Sequence, residues 1–246
     1  MGFDAAVINA AKNEEGKAFE LKMAYSDSTI KIWRYHSKIW TLAASGSYLT
    51  ACLTRVLGLG AADSARFLTT ATDGHLAIWG RTPAEGQLEW NNRHRIHQNA
   101  ILAVETYNLH DGSHLVITGG DDNAVGLTRI TADGDASTLI LPRAHAAAVT
   151  GLAAVSGRQG QILLVTTSID QRVKLWRVDI DIARPGVEGI DMQRLANVST
   201  AVADVSSLAL HGFENGAVGV LVCGVGMDMW MLQTDATGLA TVRYWV

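Results

Sequence analysis

An all-β fold made of repeated short strands is predicted by three observations. First, four decapeptides align without gaps: SDSTIKIWRY at 26–35, TDGHLAIWGR at 72–81, DDNAVGLTRI at 121–130 and IDQRVKLWRV at 169–178. Second, their residues alternate instead of recurring at helical spacing: Val173 and Leu175 fall on one face, and Lys174, Trp176 and Val178 on the other. Third, the chain has only three prolines and many short β-branched runs.

In each decapeptide an aspartate (Asp27, Asp73, Asp122, Asp170) stands six residues before Trp33, Trp79, Thr128 or Trp176. A looser fifth copy, GVGMDMW, ends at Trp230 and lacks the aspartate at that spacing. The steps between these five positions are 46, 49, 48 and 54 residues. Four-stranded sheets repeated at about 40–45 residues and arranged radially make a β-propeller. The expected blades are roughly 1–44, 45–95, 96–143, 144–198 and 199–246, forming one domain over 1–246. Five units leave open an incomplete ring or a closed five-bladed one.

The strands are expected in order. The first unit has FDAAVINAA, ELKMAY and TIKIWRY, with SKIWTLA as an outer strand. The second has YLTACLTRVL, RFLTTA and LAIW. The third has ILAVETYNL, HLVITGG and AVGLTRI; the fourth AVTGLAAV, ILLVTTS and VKLWRV; the fifth DVSSLAL, VGVLVCG and MDMWML. TVRYWV reads as a final strand. Polar connections are expected from Trp79 to His97 and from Asp179 to Thr200. Inner strands such as ILLV and VGVLV are apolar on both faces, as strands buried between stacked sheets must be.

Composition narrows the function classes. Twenty Lys and Arg against 24 Asp and Glu give a net charge of −4, which exerts no overall pull on nucleic acid or an anionic membrane. Cys52 and Cys223 form no CxxC pair, which fits a reducing compartment. The first twenty residues hold no run apolar enough for a signal peptide, and Ala6 stands where a myristoylation site wants Ser or Thr. No window reaches the ~18 apolar residues of a membrane helix. The expectation is a soluble cytoplasmic protein that engages no membrane.

One further spacing recurs. His97 precedes Thr118 by 21 residues and Asp122 by 25; His145 precedes Thr166 and Asp170 by the same intervals. The expected result is a histidine on the loop entering a sheet, a threonine on the second strand and an aspartate in the following turn, with Trp176 completing the fourth unit's set. A buried histidine must satisfy both ring nitrogens. A carboxylate can take one, and the threonine hydroxyl can link the other to the indole N–H. The same residue types make a hydrolase triad, yet a catalytic set occurs once in a cleft, whereas this one recurs with the fold. The reading is structural, with His145→Ala expected to destabilise the protein.

Histidine near the start, aspartate in the second turn and tryptophan on the third strand resemble the WD-repeat family, which implies the propeller. The aspartate that follows tryptophan in that family is replaced by Arg34, Gly80, Arg177 and Met231; Ser47 or Tyr48 stands in place of the second histidine, and Thr128 in place of a tryptophan. LTTATDGHLAIW, HAAAVTGLAAV, TTSIDQRVKLWRV, NVSTAVADVSSLAL and VLVCGVGMDMWML are similar, in this order, to the C-terminal part of the WD-repeat protein 6 family. That resemblance implies a non-catalytic cytoplasmic scaffold. Its partner would be a methyltransferase that modifies the 2′-hydroxyl of the wobble nucleotide, position 34, of tRNA, with tRNA itself met mainly through that partner.

WNNRHRIH offers a second kind of chemistry, with Arg93 and Arg95 placed to meet phosphate while Trp90 stacks; a solvated loop between blades is the competing reading. LGLGAAD lacks the third glycine and following helix of a dinucleotide site. His110 and His114 flank a turn with no third ligand near in sequence. No glycine-rich methyl-donor pocket, P-loop or nucleophile elbow is present, so no catalytic residue, metal, cofactor or small-molecule substrate is expected. The alternatives are a WD-repeat interaction module in another complex, such as ribosome assembly or ubiquitin ligation, and a propeller hydrolase with a central site.

Overall fold

Turn chemistry explains why the aspartates recur. In a computed structural model of the chain, Asp27 Oδ1 accepts the Thr29 N–H at 3.0 Å, Asp73 Oδ1 that of His75 at 3.2 Å, Asp122 Oδ1 that of Ala124 at 3.2 Å and Asp170 Oδ1 that of Arg172 at 2.9 Å. Each is a side chain imitating a turn hydrogen bond two residues on. The residue after each aspartate takes the left-handed region: Ser28 at φ 70°, Gly74 at 79°, Asn123 at 66° and Gln171 at 57°. The structure describes residues 2–8, 18–60, 66–81, 86–157, 161–184, 186–213, 217–234 and 240–244. Asn9–Ala11 of the expected first strand, residues 61–63 of LGLGAAD, and Trp245 and Val246 of TVRYWV lie outside them.

The described residues are all-β, in antiparallel sheets that match WD-repeat propeller blades. The first sheet runs β1 (Gly2–Ile8), β2 (Ala18–Ala24), β3 (Thr29–His36), β4 (Ile39–Ser47). The second runs β5 (Leu53–Gly58), β6 (Phe67–Ala71), β7 (His75–Arg81), β8 (Leu88–Arg95). The third holds β9 (Ile101–Asn108), β10 (His114–Gly120), β11 (Val125–Ile130), β12 (Ala136–Leu141), and the fourth β13 (Val149–Ser156), β14 (Ile162–Ser168), β15 (Arg172–Ile180), β16 (Ile190–Ser199). The fifth has β17 (Ala203–Gly212), β18 (Val218–Thr234) and β19 (Ala240–Tyr244). Consecutive strands pair throughout. Among the described residues no helix is long and apolar enough to cross a membrane.

The structure corrects two of the sequence expectations. The connections after Trp79 and after Asp179 are not wholly loops: they contain the outer strands β8 and β16. An outer strand pairs along one edge and meets solvent on much of its surface, so its polar sequence hides it. WNNRHR is therefore strand, not loop. VGVLVCG and MDMWML, expected as two strands, are one element, β18, which pairs with β17 up to Val225 and with β19 from Trp230. The aspartate turn is missing here, and Gly226 at φ 113° marks the change of partner.

The chain divides into two compact units, Met1–Ile101 and Leu102–Val246. In the first unit, Ala24, Ile30, Ile32 and Ala44 of the first sheet pack on Phe67, Ala77, Trp79 and Leu88 of the second. In the second, one core joins the third and fourth sheets through Leu115, Ile117, Leu152, Leu164 and Trp176. Another joins the fourth and fifth through Val165, Leu175, Val220, Val222 and Trp230. Backbone bonds stitch neighbouring sheets: the Tyr48 N–H donates to Ser28 O, that of His145 to Asn123 O and that of Thr200 to Gln171 O.

Arginine takes the place of the absent repeat aspartate. Arg129, buried on β11, donates to Asp111 Oδ2 at 2.5 Å and to the carbonyls of Arg184 at 2.7 Å and Ile182 at 3.3 Å. The Ser113 hydroxyl and backbone N–H, with Arg129, hold Asp111 down at about 2. Arg129 thus fastens the β15–β16 connection to the third sheet. Arg129→Met keeps the stem but leaves two carbonyls short of a donor, and is expected to cost about 2 kcal/mol in denaturant unfolding.

Candidate functional site

The most complete polar cluster sits at the start of the fourth sheet. His145 enters on the segment before β13, Thr166 lies on β14, Asp170 in the following turn and Trp176 on β15. The Trp176 indole N–H donates to Thr166 Oγ1 at 2.8 Å, and Thr166 Oγ1 lies 2.9 Å from His145 Nε2. His145 Nδ1 is 3.1 Å from Asp170 Oδ2, which also accepts the Ala146 N–H at 2.9 Å. These contacts fix the proton order. The Asp170 carboxylate can only accept, so Nδ1 carries the proton of the neutral ring; Nε2 then accepts the Thr166 hydroxyl proton, and the threonine oxygen accepts from tryptophan.

Burial pushes the His145 imidazole down to about 4; Asp170 opposes this, and Lys174 reinforces it. At neutral pH the His145–Asp170 contact is therefore a hydrogen bond from a neutral ring, not an ion pair. Against the cost of burial, the Ala146 N–H, His145 and the Arg172 N–H hold Asp170 below the usual carboxylate range. Lys174 is itself lowered by burial and donates to Ala144 O. The imidazole has a partner on both nitrogens, and the hydroxyl is used in both directions.

The second sheet carries a variant of this set. Tyr48 precedes Thr69 by 21 residues and Asp73 by 25, the same intervals that His145 shows, so spacing alone could have chosen it over Ser47. Its hydroxyl donates to Asp73 Oδ2 at 3.0 Å, and the Trp79 indole donates to Thr69 Oγ1 at 2.8 Å. Arg93 on β8 donates to Tyr48 Oη at 2.7 Å and to Asp73 Oδ2 at 2.9 Å. Burial, with Asp73 nearby, pushes the Tyr48 phenol up to about 12. Trp90 meets the Tyr48 ring edge-on, centroids 6.1 Å apart. Of the three residues considered for RNA or partner contact, Trp90 and Arg93 are thus engaged with Tyr48, and Arg95 is exposed at the end of β8.

The remaining copies differ. In the third sheet Thr128 takes the tryptophan position and bonds Thr138 Oγ1 at 2.9 Å, and the Thr118 hydroxyl donates to Gly126 O at 3.4 Å. Asp122 caps its turn; His97, in the first unit, is buried. In the fifth, Thr200 stands in the histidine place and donates to Asp228 Oδ2 at 3.0 Å, an aspartate shifted to two residues before Trp230. Asp27 caps its turn, and Trp33 is half-buried on β3. His114 Nδ1 lies 2.8 Å from Asn108 Oδ1, and His110 is exposed. Among the described residues no three His, Cys, Asp or Glu side chains gather as a metal site.

No family model matches the chain. Over 144 residues it is 28% identical to the tRNA (34-2'-O)-methyltransferase regulator WDR6 of Mus musculus and, to the same degree, to the protein of that name in Rattus norvegicus. The likeness supports a WD-repeat protein. The match covers 45% of this chain, and the chain spans only 12% of each relative's length. Both relatives are named regulators.

Proposed function

We propose that this chain is a non-catalytic cytoplasmic scaffold that binds a tRNA 2′-O-methyltransferase and supports methylation of the wobble nucleotide at position 34. The observation that carries the reading is the likeness to two proteins named as regulators of that enzyme class. Two features support it. The His–Thr–Asp–Trp set is consumed in holding a sheet together, and a net charge of −4 leaves RNA phosphate affinity to the partner. In this reading residues 1–246 form one WD-repeat propeller region, His97, Thr118, Asp122, His145, Thr166, Asp170 and Trp176 are structural residues, and the strand with Trp90, Arg93 and Arg95 is a surface that meets RNA or partner, Arg95 being an exposed cation on it.

The test is a cell line or strain lacking the protein. Ribose methylation at tRNA position 34 is expected to fall and to return when the chain is restored, and the tagged chain is expected to retain the methyltransferase through purification. Unchanged methylation with no retained methyltransferase would overturn the proposal and favour an interaction module of another complex.

A further inference from the structure

We propose that Arg172, Lys174 and Arg194 of the fourth sheet form a phosphate-binding row that meets the backbone of an RNA. Cross-strand register places them together. Arg172 stands opposite Ser199, Lys174 opposite Asn197 and Trp176 opposite Arg194 on β15 and β16. Residues directly opposite share a face. Trp176 and Val178 pack in the core shared with the third sheet, whereas Val173 and Leu175 pack in the core shared with the fifth. The three cations therefore lie on the face turned to the third sheet, within one compact unit that holds both neighbouring sheets.

Lys174 supplies the deciding observation. It is only 8% exposed, yet its ammonium donates to Ala144 O alone, and its other two N–H groups have no partner among the described residues. No carboxylate lies within ion-pair distance of it. Burial lowers it, Asp170 raises it, and Arg194 and Arg172 lower it further. Asp170 is itself occupied by His145 and by the Ala146 and Arg172 N–H groups. Arg172 and Arg194 are exposed, and neither side chain has an ion-pair or hydrogen-bond partner among the described residues. Arg143, one residue before Ala144, adds a fourth exposed cation. A buried charge without a counter-ion is costly, and a bound anion removes that cost. The fold does not require these cations: Ala124, Gly126 and Thr138 hold the same three positions in the third sheet.

The shape of the row fits a chain of phosphates. At about 3.3 Å per strand residue, its cations succeed one another every 6–7 Å and span about 13 Å, several charges of a nucleic-acid strand. Trp176 is buried, so the row offers no ring for a base to stack on; it holds backbone, which orients an RNA without reading its sequence. Asn197 and Ser199, exposed on the same face, are further donors to phosphate oxygens. RNA as the occupant, in place of an acidic polypeptide, rests on the proposed function. With a net charge of −4, most affinity stays with the partner, and the row sets how the RNA lies.

Fluorescence anisotropy of a labelled tRNA transcript with the purified 246-residue chain, from 50 to 200 mM salt, tests this. Three phosphate contacts predict a slope of log K against log salt of roughly −2 to −3. Arg172→Gln with Arg194→Gln is expected to make it shallower by about 1.5 and to weaken binding at 50 mM roughly tenfold or more, while Arg55→Gln, an exposed arginine of another sheet, changes neither. No binding by the native chain, or an unchanged slope in the double variant with its β signal intact in circular dichroism, overturns the proposal. Should that signal be lost, lysine at both positions takes the place of glutamine and is expected to keep the slope. Binding of poly-glutamate but not tRNA overturns it in favour of an acidic polypeptide, and binding of inorganic phosphate alone in favour of a small-anion site. The purified-chain slope is independent of the scaffold reading: an expected slope with no retained methyltransferase in cells sinks the proposed function and leaves the row, and the reverse outcome sinks the row alone.

Discussion

Trp79→Ala is expected to destabilise the first unit by about 4 kcal/mol, the scale of removing a large buried aromatic. Three losses combine. The indole is fully buried, so its cavity opens onto Ala24, Ile30 and Ile32 of the first sheet. The ring lies parallel to Phe67, centroids 6.0 Å apart and planes 4° apart, a pairing worth about 1 kcal/mol beyond area. Its N–H leaves Thr69 Oγ1, itself buried. Packing leaves no room for compensation: a Cβ built on Gly46 would stand 2.6 Å from Leu88 O and 2.9 Å from Trp79 Cζ3. Trp33→Ala, at the same repeat position but half-buried, should cost about 1–2 kcal/mol. Urea unfolding of the two variants measures the difference. Equal losses would mean that the two faces are equally covered in solution.

The pairing of repeat with sheet was legible because alternation and turn chemistry are local. Each aspartate is tied to an N–H two residues on and to a left-handed residue between them, so one side chain marks one hairpin. The buried strands β6, β10, β11 and β14 announce themselves as apolar runs. The outer strands β8 and β16 did not, because LEWNNRHR and IDMQRLANVS face solvent and carry no period-two pattern. The polar cluster of the fourth sheet was legible through its 21- and 25-residue intervals. Tyr48 keeps the same intervals to Thr69 and Asp73, with a phenol in the place of the imidazole. Thr200 and Asp228 break the intervals, and only the hydrogen bond across the fifth sheet reveals their pairing. The partnership of Arg93 with Asp73 and Tyr48 depends on β8, whose polar sequence does not distinguish a strand from a solvated loop.

His145→Ala is expected to cost about 3 kcal/mol at neutral pH, the scale of breaking a buried polar network and leaving its partners unpaired. Thr166 loses the acceptor for its proton, and Asp170 loses its imidazole donor while keeping the Ala146 and Arg172 N–H groups. Asp170→Asn should cost less, about 1–2 kcal/mol, because an amide oxygen can still accept one of those bonds. The pH dependence separates this network from simple packing. The His145 ring ionises near 4 in the fold and near 6.5 when unfolded. Between those values the unfolded chain takes up a proton that the folded chain refuses. The contribution is therefore complete above about pH 6.5 and fades as pH falls toward 4, by about 3 kcal/mol in all. Asp170, whose folded value is lowered, loses its own contribution only at still lower pH. His94 is also lowered by burial and keeps its slope in any His145 variant. Denaturant unfolding at several pH values from neutral to 4 should thus give a steep decline for the native chain and a shallower one for His145→Gln. Parallel declines would show that the ring is not held neutral between Thr166 and Asp170.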